Sequence, residues 1–178
     1  MAIRKILLYP HPILAAKAEP IKEITDEIKT LAADMLETMV AAQGIGLAAN
    51  QIGITQRILV IDLNPTTDDT EADQANDPAL GPHVMINPII TEKNGSIIWE
   101  EGCLSIPDQV GAVERSAEIE AVFTNLEGDM CQVQATELMA VCIQHEIDHL
   151  NGIVYPDRMH DRTKAREIRL AMKALKSA

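Results

Sequence analysis

Apolar side chains at Ile28, Leu31, Met35 and Met39 recur at spacings of three and four, which predicts a helix with one buried stripe. Thr25 is placed to cap it. Asp26 and Glu27 fall in a first turn where the helix dipole favours negative charge, and Gly44 and Gly46 end it. The short apolar run over 57–63 reads as a buried strand. From residue 83 the pattern shortens, and strands are expected around 83–86, 88–92, 96–100, 112–115, 118–124 and 130–134. Asn94-Gly95 and Glu127-Gly128 are candidate hairpin turns. Thr136 is a candidate cap for a second helix from 137 to about 151, closed by Gly152, and a last helix runs from about 161 to about 176. No internal repeat is visible. These elements predict an α+β fold: small, mainly antiparallel sheets packed around a central helix, with an N-terminal and a C-terminal helix.

With 178 residues, 47% apolar and 24% charged, the chain has the balance of a globular protein and is read as a single domain over 1–178. The segment 64–82 stands apart: five acids, three of the nine prolines and no Lys or Arg mark it as an acidic loop insertion. The last helix is the opposite, with six basic residues against two acidic ones on a chain of net charge −12. That acidic balance, with only four aromatics (Tyr9, Trp99, Phe123 and Tyr155), excludes a general DNA- or RNA-binding role. Arg4 and Lys5 precede an apolar run of only four residues before Pro10, too short for a signal-peptide core, and no later run reaches membrane-spanning length. A cytoplasmic protein with no membrane partner is expected. Cys103, Cys131 and Cys142 are an odd count and no disulfide framework. In that compartment a special cysteine is a ligand or nucleophile sooner than half of a bridge.

The sharpest chemical feature lies on the second predicted helix. In His145-Glu146-Ile147-Asp148-His149 the two histidines, four residues apart, share a helix face and can reach one metal ion. Glu146 beside them is placed to handle a proton of water. Two histidines and an acid on an otherwise apolar helix need partners. A catalytic site needs a third ligand. Position 155, which an extended metalloprotease pattern would fill with histidine, holds Tyr155. Glu167 sits among Lys164, Arg166 and Arg169, where a surface ion pair is the plainer reading. Cys103, in Glu101-Gly102-Cys103-Leu104-Ser105, is the upstream option. A glycine-rich element, Gly44-Ile45-Gly46-Leu47-Ala48-Ala49-Asn50-Gln51, lacks the ending of a phosphate loop. Its glycines allow close backbone approach to a ligand, and the Gln51 amide suits a developing oxyanion; the plainer reading is a helix end and a turn.

Together these three elements, at 44–51, 101–105 and 144–149, resemble the signature motifs of the peptide deformylase family, in the family's order, and the likeness runs from about residue 4 to 157. The resemblance implies an enzyme that removes the formyl group from the N-terminal formyl-methionine of newly made polypeptides. It implies Cys103, His145 and His149 as ligands of one divalent metal, typically Fe(II), with zinc, nickel or cobalt able to replace it, and water in the fourth position. Glu146 would take the proton of that water and later pass one to the leaving amine. Gln51 and the backbone N–H of Leu104 would stabilise the oxyanion, and the backbone of Ile45, Gly46 and Gly102 would pair with the extended peptide.

Leu138, Val141 and Cys142 precede His145 on its own helix face and are expected to line an apolar pocket for the methionine, although Cys142 also reads as a plain core residue. Arg115 is expected to pair with Glu101 behind the cysteine loop, with Asp148 in the same outer layer. Val110 departs from the family, standing where many bacterial members carry an arginine. The ribosome is the anionic partner that the resemblance suggests for the basic last helix; the competing reading is a helix paired with the protein's own acidic body. Cys131 is read as structural or surface, and His11, His83 and His160 match no catalytic motif. A peptidase built on the same histidine pattern is disfavoured by the cysteine motif. A catalytically dead binding module is disfavoured by the retention of Glu146, Gln51 and all three ligands.

Overall fold

The computed structural model describes residues 2–64 and 81–177. Most of the acidic segment expected as an insertion, 65–80, lies outside the described residues. Among the described residues there are three α-helices: α1 (Asp26–Ala41), α2 (Glu137–Leu150) and α3 (Arg162–Ser177). The strands are β1 (Gly46–Ala48), β2 (Ile58–Ile61), β3 (His83–Asn94), β4 (Ile97–Cys103), β5 (Ile106–Arg115), β6 (Glu118–Thr124) and β7 (Met130–Thr136). All pairings between these strands are antiparallel. Five strands form one sheet in the order β1-β2-β3-β6-β7, and β4 and β5 form a separate hairpin.

The apolar run predicted as a buried strand is β2, and its continuity has a cause. Successive side chains on a strand point to opposite faces, and both faces here are covered. Leu59 and Ile61 pack with Met139, Ala140, Ile143 and Ile147 of α2. Ile58 and Val60 pack with Ile28, Leu31, Met35 and Met39 of α1. The central helix α2 is therefore enclosed on nearly all sides, every residue from Met139 to Leu150 being buried, its polar residues included. A third cluster joins the hairpin to α3, with Ala165, Ile168 and Met172 laid on Ile106, Val113, Tyr155 and Met159.

Five details differ from expectation. Thr25 and Thr136 occupy the cap positions of α1 and α2 but neither side chain makes a cap hydrogen bond. The two strands expected over 83–92 are one strand, interrupted by a bulge between Ile86 and Ile89. Asn87 takes a left-handed φ of 51° there, a conformation asparagine tolerates, and its amide clamps both the N–H and the C=O of Ile21 at 2.9 and 2.7 Å. Pro88, which cannot donate to a ladder, sits inside the irregularity. Asn94-Gly95 is not a hairpin turn: it carries the chain from the five-stranded sheet to the hairpin. The tight reversal is instead at Leu104-Ser105, flanked by the paired Cys103 and Ile106. Residues 46–48, read as part of a turn, form the edge strand β1. The turn over Asn125–Asp129, with Gly128 at φ 92°, does close the β6–β7 hairpin as expected. No helix among the described residues is long and apolar enough to cross a membrane.

Gly152 ends α2 with φ 74°, and a Cβ there would lie 2.5 Å from the carbonyl oxygen of Ala15. Replacement by alanine meets both a backbone penalty and a clash with main chain. Gly152→Ala should cost about 1–3 kcal/mol, read as a lower urea midpoint with an unchanged m-value.

Candidate active site

The site is made where the hairpin meets α2. Cys103 ends β4 and projects from its turn, while His145, Glu146 and His149 come from one face of the central helix. Donor atoms of Cys103, His145 and His149 all lie within 4.8 Å of one another. Cys103 Sγ is 3.2 Å from His149 Nε2, and the two imidazole rings stand 5.0 Å apart at 70°. One thiolate and two imidazoles, converging and shielded from bulk water, suit a divalent transition-metal ion. His149 Nδ1 is buried without a hydrogen-bond partner among the described residues. Burial, with the charges of His145 and Arg115, holds the His149 pKa well below its ordinary value, so the ring is the neutral form that binds metals. Burial pushes His145 the same way, but its hydrogen bonds to Cys103 and Glu101 and the charge of Glu146 outweigh that and raise it.

Behind the three-donor cluster runs a chain of buried charges. His145 Nδ1 is 2.8 Å from Glu101 Oε2, which leaves Nε2 to face the other two donors. Arg115 grips Glu101 with two N–H groups, Nε at 2.7 Å and Nη2 at 3.0 Å, and reaches Asp148 with Nη1 at 2.5 Å. Arg158 donates to both oxygens of Asp148, at 2.8 and 3.1 Å. Glu101, Arg115 and Asp148 are all buried. Burial alone would raise the Glu101 pKa, but the bonds from His145 and Arg115 hold it below the usual carboxylate range. The expected Arg115–Glu101 pair is present, and Asp148 does belong to the same layer. Arg158 was not anticipated, nor was Tyr155, whose ring stacks on His145 at 6.3 Å and 24°. Along the chain Tyr155 marks only the absence of a histidine at that position; nothing in its sequence position signals the stacking.

Glu146 points the other way. Its Oε2 is buried and unpartnered among the described residues, and burial pushes its pKa up to about 7, with the charge of Glu101 adding and that of His145 opposing. Gly46 explains how β1 comes so close: a Cβ on it would stand 2.5 Å from Glu146 Oε1 and 2.9 Å from Cys142 Sγ. Gln51, on the 3-10 turn Ala49–Ile52, has its amide orientation set by Ala48 N–H donating to Oε1 at 2.8 Å. Its Nε2 consequently faces Ser105 Oγ at 3.3 Å and Cys103 Sγ at 3.6 Å.

A cavity of about 510 Å³ opens over these groups. Ile45, Gly46 and Gln51 line one side, Gly102, Cys103 and Leu104 the other, and Leu138, Val141 and Cys142 the floor beside His145. Val110 stands on its rim, 51% exposed, and no Lys or Arg lines the cavity. Burial raises the Cys142 thiol well above its ordinary pKa, as suits an inert wall residue. Cys131 lies away on β7 with its thiol near Asp129. Glu167 is exposed on α3 and outside the donor cluster, so Cys103 alone of the candidates joins the two histidines. His11 caps a 3-10 turn at Ile13 N–H, and His160 pairs with Glu114 at 3.0 Å on the surface.

Comparison with known proteins agrees with this geometry. The family model for polypeptide deformylase matches residues 3–165. A peptide deformylase of Alkalilimnicola ehrlichii is 45% identical over 93% of this chain and 87% of its own length. One from Phenylobacterium zucineum is 39% identical over the full length of both. The crystal structure of peptide deformylase from Ehrlichia chaffeensis superposes with a TM-score of 0.85, at 31% identity, covering 98% of this chain and 97% of that one.

The Arg115 guanidinium pairs with two buried carboxylates at once. Arg115→Met should destabilise the protein by about 3–5 kcal/mol, the usual cost of stranding buried charge, measured by chemical denaturation of the metal-loaded form. Arg115→Lys should recover only part of this, because an ammonium cannot fork to both partners.

Proposed function

This chain belongs to the peptide deformylase family, and from that premise we propose how its own residues carry out the reaction. The protein is a metal-dependent hydrolase that removes the N-formyl group from the N-terminal formyl-methionine of newly synthesised polypeptides and releases formate. Cys103, His145 and His149 would hold the ion. Their mixed sulfur and nitrogen set accepts Fe(II), which we take as the working metal, and also zinc, nickel or cobalt. Such an ion supplies Lewis acidity at the formyl group and lowers the pKa of water.

The remaining work falls to the chain. Glu146, buried and with a pKa near neutrality, accepts the proton of the attacking water and returns one to the departing amine, which would otherwise leave as a poor anionic group. The Gln51 Nε2–H and the Leu104 backbone N–H donate to the oxygen on which negative charge develops. The Gln51 side chain is aimed before substrate arrives, so no reorganisation is needed at that moment. The backbone of Ile45, Gly46 and Gly102 pairs with the extended peptide as an added strand, with the methionine side chain against Leu138, Val141 and Cys142. The observation that carries this reading is the unpartnered, buried Glu146 oxygen beside the three-donor cluster.

Exposed Lys164 and Arg166 on α3 support docking to an anionic surface such as the ribosome, although Arg169 is already engaged by Asp157 at 2.5 Å. We take the protein to act in the cytoplasm, where nascent chains emerge, as one catalytic unit over 1–178, with neither DNA nor membrane as partner.

Two substitutions separate the roles. Glu146→Ala should keep the metal yet lower kcat by at least ~10²–10⁴, the worth of a positioned acid–base group, in an assay of formate release from a formyl-methionyl peptide. Near wild-type turnover would remove Glu146 from the mechanism. Cys103→Ser should lose metal, because a serine hydroxyl is far harder to ionise than a thiol. Cys131→Ser and Cys142→Ser should retain it, with metal content per chain as the readout. Unchanged metal content in Cys103→Ser would show that the sulfur is not a ligand.

A further inference from the structure

A second cavity, of about 410 Å³, lies on the other side of α2 from the catalytic cleft. Its walls come from Arg57 before β2, from the middle of β3, from the end of β5 and from the outer face of α2. Its charged lining is Arg57, Lys93, Arg115, Arg158, Glu114 and Asp148. Four of the chain's fifteen Lys and Arg residues thus meet in one hollow, while the catalytic cavity has none. In a protein of net charge −12, such a concentration of cations calls for a counter-charge.

Most of the fixed charges in the hollow are already matched. Arg115 and Arg158 share Asp148, and Arg115 also binds Glu101, so these two cations are balanced by two carboxylates. Glu114 is engaged by Ser96 and His160. Two cations remain. Arg57 donates only to neutral groups, the Asn151 side-chain oxygen at 3.0 Å and the Pro88 carbonyl at 3.1 Å. Burial lowers its pKa, and no carboxylate offsets that effect. The exposed Lys93 side chain has no hydrogen bond or ion pair among the described residues. A half-buried guanidinium with unused N–H groups, facing a free ammonium across a concave wall, matches the paired oxygens of a phosphate. The hollow has the size of a small-molecule site and exceeds the needs of a bare ion.

We propose that the cavity bounded by Arg57, Lys93 and Arg158 binds a phosphate group, carried by inorganic phosphate or by a small phosphomonoester. Arg57 would supply the fork, Lys93 the second charge, and Arg158 a further N–H from the edge of the Asp148 pair.

The test is titration of the metal-loaded protein by calorimetry, with inorganic phosphate in one arm and glycerol 2-phosphate in the other, ionic strength held constant with chloride. Saturable binding at millimolar concentrations or below is expected. Tighter binding of the ester identifies an organic occupant, and preference for the inorganic ion identifies free phosphate; either supports the site. Arg57→Gln should weaken binding about tenfold or more and Lys93→Gln about fivefold, in keeping with charge-assisted hydrogen bonds at a half-buried and an exposed position. Lys93 makes no contact that folding needs, so its variant remains informative if Arg57→Gln misfolds. Absence of saturable binding in both arms, or binding unaltered in both variants, as an ion on the catalytic metal would give, overturns the proposal.

Discussion

A buried arginine between two buried acids decides the shape of the catalytic centre. Arg115 belongs to the β4–β5 hairpin, Glu101 to the opposite strand of the same hairpin, and Asp148 to the central helix. An isolated charge at that depth is prohibitively costly, so the three can be buried only together. The ion pairs therefore act as a latch whose geometry is set by electrostatics and not by shape alone. With it closed, Cys103 at the end of β4 falls beside His149, and Glu101 comes within 2.8 Å of His145. Both the position of the sulfur and the tautomer of one imidazole follow from the same three charges.

The two faces of α2 divide the chemistry. On the cleft side, a carboxylate with one buried, unpartnered oxygen has its pKa pushed up to about 7 by burial. On the far side, ionic groups are dense and mostly matched. The helix itself, buried from Met139 to Leu150, stands between them. Low dielectric on the cleft side strengthens every dipole aimed at the reacting atoms, which gives the Gln51 amide its value.

Much of this was legible in the linear chain, for reasons that differ by element. The helices α1 and α2 announce themselves by spacing, because a helix buries residues close in sequence. His145 and His149 were legible as ligands for the same reason. Cys103 needed more: Glu167 was an open alternative until the fold brought the thiol, and not that carboxylate, to the histidines. The strand β1 was invisible because three residues in a glycine-rich stretch have no strand propensity; pairing with β2 makes them a strand. The reversal at Leu104-Ser105 carries no Gly, Pro, Asn or Asp, being held from outside by the Gln51 amide on Ser105 and the Tyr9 N–H on the Ser105 carbonyl. Arg158 and Tyr155 reach the site from beyond the end of α2, and no local pattern reports an encounter of that kind.

The edge position of β1 has a consequence for timing. An unpaired strand edge recognises main chain, and main chain is the same in every protein. An enzyme that reads it can serve an entire proteome without a consensus to match. The same edge is closed to any polypeptide whose own amino-terminal segment has already found a partner within its native structure. Under the docking proposed for the peptide on β1, deformylation belongs to the interval between emergence of a chain and its collapse, and the rate of folding of each client sets how long that interval stays open.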